Sequence, residues 1–286
     1  MLRFAPAKIN IGLYITGQRA DGYHTIETCL VPIPLCDIIE ITQPEGLVED
    51  ALYIKGLPIK GAAASNSILK VLQELRGRGC EVPPLRIELV KRIPSEAGLG
   101  GGSSDAAVAL RAVNDLLHLR LTKEELASVA AVAGADTPFF IYDGPMLATG
   151  IGTDLEPVEL PEELRCSYVV IVKPPLAIST KEAYALVTHD SSSKGYLKRQ
   201  WSRAESFTCT RLVNQFEATL FPRYPQLANL KQTLIDKGAY YASLSGSGSA
   251  VYGLFKEKPQ MWIESLPRGT FLWQGSFNET FHSIPL

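Results

Sequence analysis

Residues 94–104 read PSEAGLGGGSS, and this stretch decides how the chain is interpreted. Four of the five residues from 98 to 102 are glycines, and two serines and an alanine-rich helical pattern follow them. So bare a backbone at the start of a helix can bring several N–H groups onto a phosphate. Packing alone does not require such a run, because each glycine costs ordering entropy. The stretch therefore predicts a phosphate-binding loop.

The loop is expected between a strand and a helix. Leu85, Ile87 and Leu89 alternate with charged residues, which is the period-two pattern of a half-buried strand. After the loop, apolar residues recur at helical spacing from Ala106 to Leu117. This order places the loop at a helix N-terminus.

The rest of the chain mixes strands and helices in both halves, which indicates an α/β or α+β class. A capping box at Thr122–Glu125 predicts a second helix, and Gly134 is a suitable residue to stop it. Residues 154–165 are acidic, contain two prolines and are expected to form a linker or long surface connection, and the polar residues 188–203 a mobile loop. Other expected elements are strands at 38–41, 51–55 and 167–173, a helix at 67–75, and a glycine-rich turn leading into a strand at 244–255.

Composition limits the class of protein. The 286 residues are 46% hydrophobic and 20% charged, so the chain should be globular, with one large or two modest domains. A net charge of −2 argues against a nonspecific nucleic-acid binder. Five cysteines, an odd number with no C-x-x-C pair, exclude a disulfide framework, argue against a structural zinc site and fit a reducing cytoplasm.

No membrane segment is expected. Residues 1–8 lack the apolar core of a signal peptide. The most apolar stretch, residues 126–142, is interrupted by Gly134, Asp136 and Pro138, and a charge inside a bilayer is costly. The sequence therefore predicts a protein that does not span a membrane.

Three well-known glycine loops do not fit the stretch. The P-loop requires Lys between its last Gly and a Ser or Thr, and no Gly-Lys pair occurs in the chain. The dinucleotide fingerprint G-x-G-x-x-G requires glycine where Ser103 stands. The protein-kinase loop and its H-R-D and D-F-G motifs are also missing from the sequence. The loop thus supplies hydrogen-bond donors but no cation of its own.

The remaining pattern, Pro-x-x-x-Gly-Leu-Gly-x-x-Ser-Ser before a helix, resembles the phosphate loop of the GHMP small-molecule kinases. Residues 6–13 and 243–250 are similar to the first and third motifs of that family. Asp21–His24 and Gly134–Phe139 narrow the resemblance to the branch whose substrate is 4-diphosphocytidyl-2-C-methyl-D-erythritol. The similarity runs from Phe4 to about Phe255, and it departs from the family at 95–97, where small residues are frequent.

The resemblance implies an α+β, two-domain GHMP kinase fold. Its N-terminal domain would be a ribosomal-protein-S5-like α/β domain at residues 1–155, carrying the ATP phosphate loop. Its C-terminal domain would be a ferredoxin-like α+β domain at residues 156–286.

The implied activity is transfer of the γ-phosphate of ATP, with Mg²⁺, to the 2-hydroxyl of the cytidyl substrate, a step of the non-mevalonate route to isoprenoid precursors. The expected partner is this small cytidyl-diphosphate molecule, with no nucleic acid and no membrane, and the expected location is the cytoplasm. The oligomeric state and the metal ligands stay open. Two alternatives remain: another GHMP kinase, of the homoserine or mevalonate type, and a catalytically silent nucleotide-binding sensor.

The nucleotide is expected at the phosphate loop and, on the adenine side, at Asn66, which could equally be a helix N-cap. Either serine could cap the helix, with Ser104 favoured near the metal. Glu96 and Asp105 should point away from the phosphates, because a carboxylate would repel them. The loop residues are Pro94, Ser95, Glu96, Ala97, Gly98, Leu99, Gly100, Gly101, Gly102, Ser103 and Ser104.

Two residues are expected to perform catalysis. The resemblance implies that Asp136 accepts the proton of the attacking hydroxyl and that Lys8 pairs with it and stabilises the transferring charge. The structural alternatives are an Asp136 that caps the Asp-Thr-Pro turn and a Lys8 that snorkels at a strand edge.

The cytidyl substrate is expected to meet residues from both halves of the chain. Asn10 shares a strand face with Lys8, and the resemblance assigns Tyr23 and His24 to the cytosine base. Ordinary turn packing is the alternative for the last two. The remaining candidates are Thr180 and Tyr184, which would close the base pocket, and Gly246 and Gly248, which would approach the diphosphate.

Overall fold

The computed structural model describes residues 1–59, 65–187, 193–201, 208–260, 262 and 266–279. The chain divides into two compact units. The first consists of Met1–Ala7, Leu35–Ser95 and Gly100–Asp143, and the second of Lys8–Pro34, Glu96–Leu99 and Gly144–Leu286. Because the units interleave along the chain, they differ from the continuous segments 1–155 and 156–286, whose boundary stays a prediction.

The described residues contain both strands and helices, in keeping with the α+β expectation. The strands are β1 Leu2–Gln18, β2 His24–Thr42, β3 Ala51–Gly56, β4 Arg86–Lys91, β5 Met146–Thr149, β6 Asp154–Pro157, β7 Tyr168–Lys173, β8 Tyr241–Leu244, β9 Val251–Phe255 and β10 Phe271–Ser276. The helices are α1 Ser67–Gly77, α2 Gly101–Leu116, α3 Lys123–Ala130, α4 Glu162–Arg165, α5 Thr180–Leu186, α6 Tyr196–Trp201, α7 Phe216–Arg223 and α8 Pro225–Asp236, with short 3₁₀ helices at Ala131–Ala133, Thr137–Ile141 and Cys209–Arg211.

In the first unit, β3 pairs parallel with β4, and β4 pairs antiparallel with the end of β2, where Ile38 lies opposite Val90. Helices α1, α2 and α3 pack on one another. The alternation in β4 turns Ile87 and Leu89 into the core, as the period-two pattern predicts. The expected strand, loop and helix are confirmed.

In the second unit, the start of β2 pairs with β5, and β5 with β6. A separate antiparallel sheet has the order β10-β7-β9-β8. Its apolar face and helices α5, α7 and α8 share a core that includes Val170, Phe216 and Leu230. The glycine-rich turn expected at 244–255 is confirmed as the connection from β8 to β9.

Local signals predicted several helix ends. Thr122 and Glu125 form the expected capping box at the start of α3. That helix ends at Ala130, and a 3₁₀ turn follows before Gly134, so the predicted stop lies a few residues too late.

Two expected loops contain regular structure. Residues 154–165 hold β6 and α4, so the linker prediction is wrong, although most of the segment is exposed. Residues 193–201 hold α6, because Glu27 accepts the N–H groups of Gly195 and Lys198 at 2.7 and 2.6 Å. The remainder of the expected loop at 188–203 lies outside the described residues.

Three buried charges meet beneath the first turn of α2. Lys91 Nζ donates to Asp37 and to Asp105 Oδ2, the latter at 2.5 Å. Asp37 Oδ1 also accepts the backbone N–H groups of Arg92 and Ile93. Asp105 therefore faces the core, as expected.

Burial raises the pKa of Asp105 well above its ordinary value, Lys91 opposes the shift, and the charge of Asp37 adds to it. Burial also acts to lower the pKa of Lys91, but the charges of Asp105 and Asp37 outweigh it and leave that pKa raised. The lysine thus stays charged. Because burial and the charge of Asp37 favour its neutral form, Asp105 binds a proton more readily than an ordinary aspartate.

We expect Asp105→Asn to flatten the dependence of stability on pH. The folded chain holds the Asp105 proton to a higher pH than the unfolded chain, so its contribution is present below about pH 4 and is lost as the pH rises. Asparagine leaves Lys91 and Asp37 as a neutral pair. Urea unfolding at increasing pH from about 4 upward should show a smaller fall in the free energy of unfolding for the variant. An unchanged slope would contradict the assignment to Asp105.

Candidate active site

The first half of the phosphate loop is fastened to the turn between β8 and β9. The carbonyl oxygens of Glu96 and Ala97 accept the N–H groups of Ser249 and Ala250, at 3.3 and 3.1 Å. Leu99 O accepts the N–H of Lys8 at 2.9 Å. All of these residues belong to the second unit, so parts of all three family-like motifs come together there.

Two glycines allow this approach. Gly98 has φ +72°, and a Cβ there would overlap the carbonyl oxygen of Ser245, whose hydroxyl donates to Gly98 O at 2.9 Å. Gly246 has φ +53°, and a Cβ there would lie 3.3 Å from Lys8 Nζ and 3.4 Å from Asn10 Oδ1. The glycine of the third motif thus passes directly beside Lys8 and Asn10.

Lys8 lies in the interior. Its side chain is 3% exposed, and Nζ donates to Asn10 Oδ1 at 2.6 Å. The alternative of a lysine that snorkels to solvent is therefore wrong. Lys8 and Asn10 share one strand face, as predicted. The predicted pairing of Lys8 with Asp136 joins residues of different units and stays a prediction.

The N-terminus of α2 is built to leave its N–H groups accessible. Gly100, at φ +73°, is the N-cap, and no side chain caps the helix, so the expectation that Ser103 or Ser104 does so is wrong. Ser104 is completely buried, and its hydroxyl has no hydrogen-bond partner among the described residues, so its favoured place near a metal stays a prediction. Ser103 is half-buried, and Gly102 is exposed with open space where a Cβ would stand. These features fit the phosphates of a nucleotide.

Glu96 is exposed, as expected for a carboxylate that must avoid phosphate. It also adopts φ +51°, a left-handed conformation that favours glycine. The departure from small residues at 95–97 therefore falls on a position where the backbone itself prefers a small one.

Two predicted residues lie at helix starts in the first unit. Asn66 caps α1, since its Oδ1 accepts the N–H of Ile68 at 2.9 Å, which confirms the structural alternative, and its place beside adenine stays a prediction. Asp136 precedes the 3₁₀ helix Thr137–Ile141 and is half-buried, but its side chain makes no capping hydrogen bond. The structural alternative, in which the Asp136 carboxylate caps this turn, is therefore wrong.

An aromatic stack joins residues expected at the cytosine base. The rings of His24 and Tyr184 stack with centroids 5.1 Å apart, and Phe216 meets Tyr184 edge-on at 4.9 Å. Thr180 lies within hydrogen-bond distance of Ser247, 3.3 Å between the hydroxyl oxygens, so it adjoins the third motif. Tyr23 is 63% exposed and is not part of this stack, so its place at the base stays a prediction.

The sequence interpretation missed Asn214. This buried amide donates to Leu244 O and Gly246 O, both at 2.8 Å, and its Oδ1 accepts the N–H of Phe216 at 3.0 Å. It thus fixes the turn that carries Gly246. A polar residue just before a helix is an N-cap signal, so Asn214 could have been noticed as a cap, but its hold on the turn could not.

Comparison with known proteins agrees with this arrangement. The sequence model described as "GHMP kinases N terminal domain" matches residues 63–144, and "GHMP kinases C terminal" matches residues 200–261. A Parabacteroides distasonis protein named 4-diphosphocytidyl-2-C-methyl-D-erythritol kinase is 43% identical over 97% of this chain and 100% of its own length. A Porphyromonas gingivalis protein of the same name is 45% identical over 96% and 98%.

The chain belongs to the 4-diphosphocytidyl-2-C-methyl-D-erythritol kinase family of GHMP kinases.

Solved structures support the same family and fold. A crystal structure of 4-(cytidine 5'-diphospho)-2C-methyl-D-erythritol kinase aligns with a TM-score of 0.70 and 32% identity, over 89% of this chain and 90% of that one. Homoserine kinase from Cytophaga hutchinsonii aligns with a TM-score of 0.67 and 18% identity, over 96% and 94%, which shows a shared fold alone. The predicted α+β GHMP kinase fold is confirmed, and the family assignment does not favour the homoserine, mevalonate or sensor alternatives.

Metal-binding side-chain clusters and membrane-spanning helices are two further features relevant to this GHMP kinase. Within the ranges that the structure describes, no three His, Cys, Asp or Glu side chains are grouped so as to hold a metal ion. Nor is any helix in that part of the chain both long enough and apolar enough to cross a bilayer.

We expect Gly98→Ala to damage the kinase far more than Gly102→Ala. At Gly98 the new methyl group meets backbone that cannot move aside and forces a left-handed alanine, which together should cost about 3 kcal/mol or more. At Gly102 nothing lies within 4 Å, and alanine in a helix is favoured by about 1 kcal/mol. Urea unfolding of both variants measures the difference, and equal losses would refute the close approach at Gly98.

Proposed function

We propose that the chain transfers the γ-phosphate of ATP to the 2-hydroxyl of 4-diphosphocytidyl-2-C-methyl-D-erythritol. One observation carries the proposal. The backbone of Gly246 lies close to Gly98 O, to the Lys8 ammonium and to the Asn10 amide, so this part of the phosphate loop adjoins a buried lysine. The substrate is supported by full-length relatives that carry its name. The reaction would supply a step of isoprenoid precursor synthesis in the cytoplasm.

The nucleotide phosphates would bind at the uncapped N-terminus of α2. Its first N–H groups and the partial positive charge of the helix end favour an anion, and Gly102 adds no side chain to obstruct one. Mg²⁺, when bound, would neutralise triphosphate charge, and the hydroxyls of Ser103 and Ser104 at the start of α2 are the candidates to lie near it. Neither Glu96, which is exposed, nor Asp105, which is buried on Lys91, opposes the phosphates.

The chemical step would use Asp136 and Lys8. As the 2-hydroxyl oxygen attacks the γ-phosphorus, its proton passes to the Asp136 carboxylate and the bond from phosphorus to the ADP oxygen breaks. The Lys8 ammonium would stabilise the charge that develops on the transferring oxygens. Its burial strengthens this effect, because water screens a buried charge little.

The cytidyl group would be held by the second unit. His24 and Tyr184 form an aromatic stack that a pyrimidine can extend, and Tyr23 offers an exposed ring nearby in the chain. The imidazole of His24 can read donors and acceptors at the base edge. Thr180, Gly246 and Gly248 would lie along the diphosphate.

Phosphate transfer from ATP to the cytidyl substrate, followed by ³¹P NMR, tests the proposal. Wild type should release ADP and a new phosphate monoester, and Lys8→Ala and Asp136→Asn should lower kcat by about 100- to 10,000-fold while ATP binding changes little. Asp143→Asn is the matched control, because Asp143 is an exposed carboxylate of the same unit that pairs with Arg111 and Lys123.

Specificity is tested in the same assay. Cytidine monophosphate should compete with the cytidyl substrate, whereas homoserine and mevalonate should not be phosphorylated. Turnover of either, or full activity of Asp136→Asn, would overturn the proposed substrate or the proposed base.

A further inference from the structure

A directional chain of hydrogen bonds ends at Lys8. Thr28 Oγ1 donates to Gly12 O at 2.6 Å, Asn10 Nδ2 donates to Thr28 Oγ1 at 2.9 Å, and Lys8 Nζ donates to Asn10 Oδ1 at 2.6 Å. Lys8, Asn10 and Thr28 are each no more than 3% exposed. All four residues belong to the second unit.

The direction of the chain follows from its first member. A backbone carbonyl oxygen can only accept, so the Thr28 hydroxyl must donate its one hydrogen to Gly12 O. Its oxygen is then left to accept, and it faces the NH₂ end of the Asn10 amide rather than the oxygen end. The oxygen end is therefore turned to Lys8. The opposite orientation would set two donors, an amide and an ammonium, against each other.

We propose that Thr28 is a positioning residue for the kinase reaction: its hydroxyl sets the orientation of the Asn10 amide, and through it the position of the Lys8 ammonium. The proposal rests on the proposed catalytic role of Lys8. Thr28 is linked to Lys8 through the Asn10 amide. It acts two hydrogen bonds away from Lys8, because it determines which end of the Asn10 amide faces the ammonium group.

The neighbourhood confines this effect to the side chain. The backbone of Asn10 is held in β1, and its carbonyl oxygen accepts the hydroxyl of Tyr252 at 2.7 Å. Removing the Thr28 hydroxyl therefore leaves the strand in place, frees the amide torsion and takes one hydrogen bond from Gly12 O. Valine keeps the shape of threonine, so Thr28→Val isolates the hydroxyl.

Steady-state kinetics of three variants test the role. Thr28→Val should lower kcat by about 10- to 100-fold, as when outer hydrogen-bond partners of ligating side chains are removed, and should leave KM for ATP nearly unchanged. Thr28→Ser retains the hydroxyl and should restore most of kcat. Thr16→Val is the matched control, since it breaks the Thr16–Thr25 hydroxyl pair on the same two strands and should not alter kcat.

Two kinetic results would overturn the proposal. One is a Thr28→Val enzyme with wild-type kcat, and the other is a Thr28→Ser enzyme as impaired as Thr28→Val, which would indicate packing. Thr28→Ala serves as the second variant should Val impair folding, because it also removes the hydroxyl.

A crystal structure of Thr28→Val gives a readout that does not depend on activity. The 2.6 Å contact between Lys8 Nζ and Asn10 Oδ1 should be lost, and its retention would overturn the proposal. Failure of the proposed function would look different: Lys8→Ala would keep wild-type turnover, or the wild type would not phosphorylate the cytidyl substrate, while the structural result would still stand.

Discussion

The close approach of the Gly98 backbone to Ser245 is the constraint on which the site depends. It lets Glu96 and Ala97 accept hydrogen bonds from Ser249 and Ala250. Any Cβ at Gly98 would push the loop away from the turn and from the strand that carries Lys8. The glycine pattern is therefore a steric requirement for assembling the site, as well as a source of bare N–H groups.

The two buried lysines of this region have different partners. Lys8 and Lys91 are both buried. Lys91 pairs with Asp37 and Asp105 and so holds β2, β4 and α2 together. Lys8 instead donates to a neutral amide, that of Asn10. Lys8 also lies beside Gly246 of the turn between β8 and β9, and this buried position supports its proposed role as the cation for the reaction.

Local structure could be predicted from the sequence because it depends on periodicity and capping, as in β4 and the start of α3. Contacts between distant segments could not. Helix α6 lies in a mostly polar stretch, and at its start Glu27, 168 residues before Gly195, accepts N–H groups, while Leu197 and Trp201 are buried. Asn214 and Thr28 likewise act on residues that only the folded chain brings near, so no motif identifies them.

The choice between Ser103 and Ser104 shows how one residue of register changes a chemical assignment. Successive residues in a helix are turned by about 100°, so adjacent serines point in different directions. Within a run of glycines, sequence alone does not fix where the helix begins. Because α2 begins at Gly101, Ser104 turns into the core and Ser103 stays accessible. The same register turns Asp105 onto Lys91, so the start of this one helix decides which hydroxyl and which carboxylate are buried.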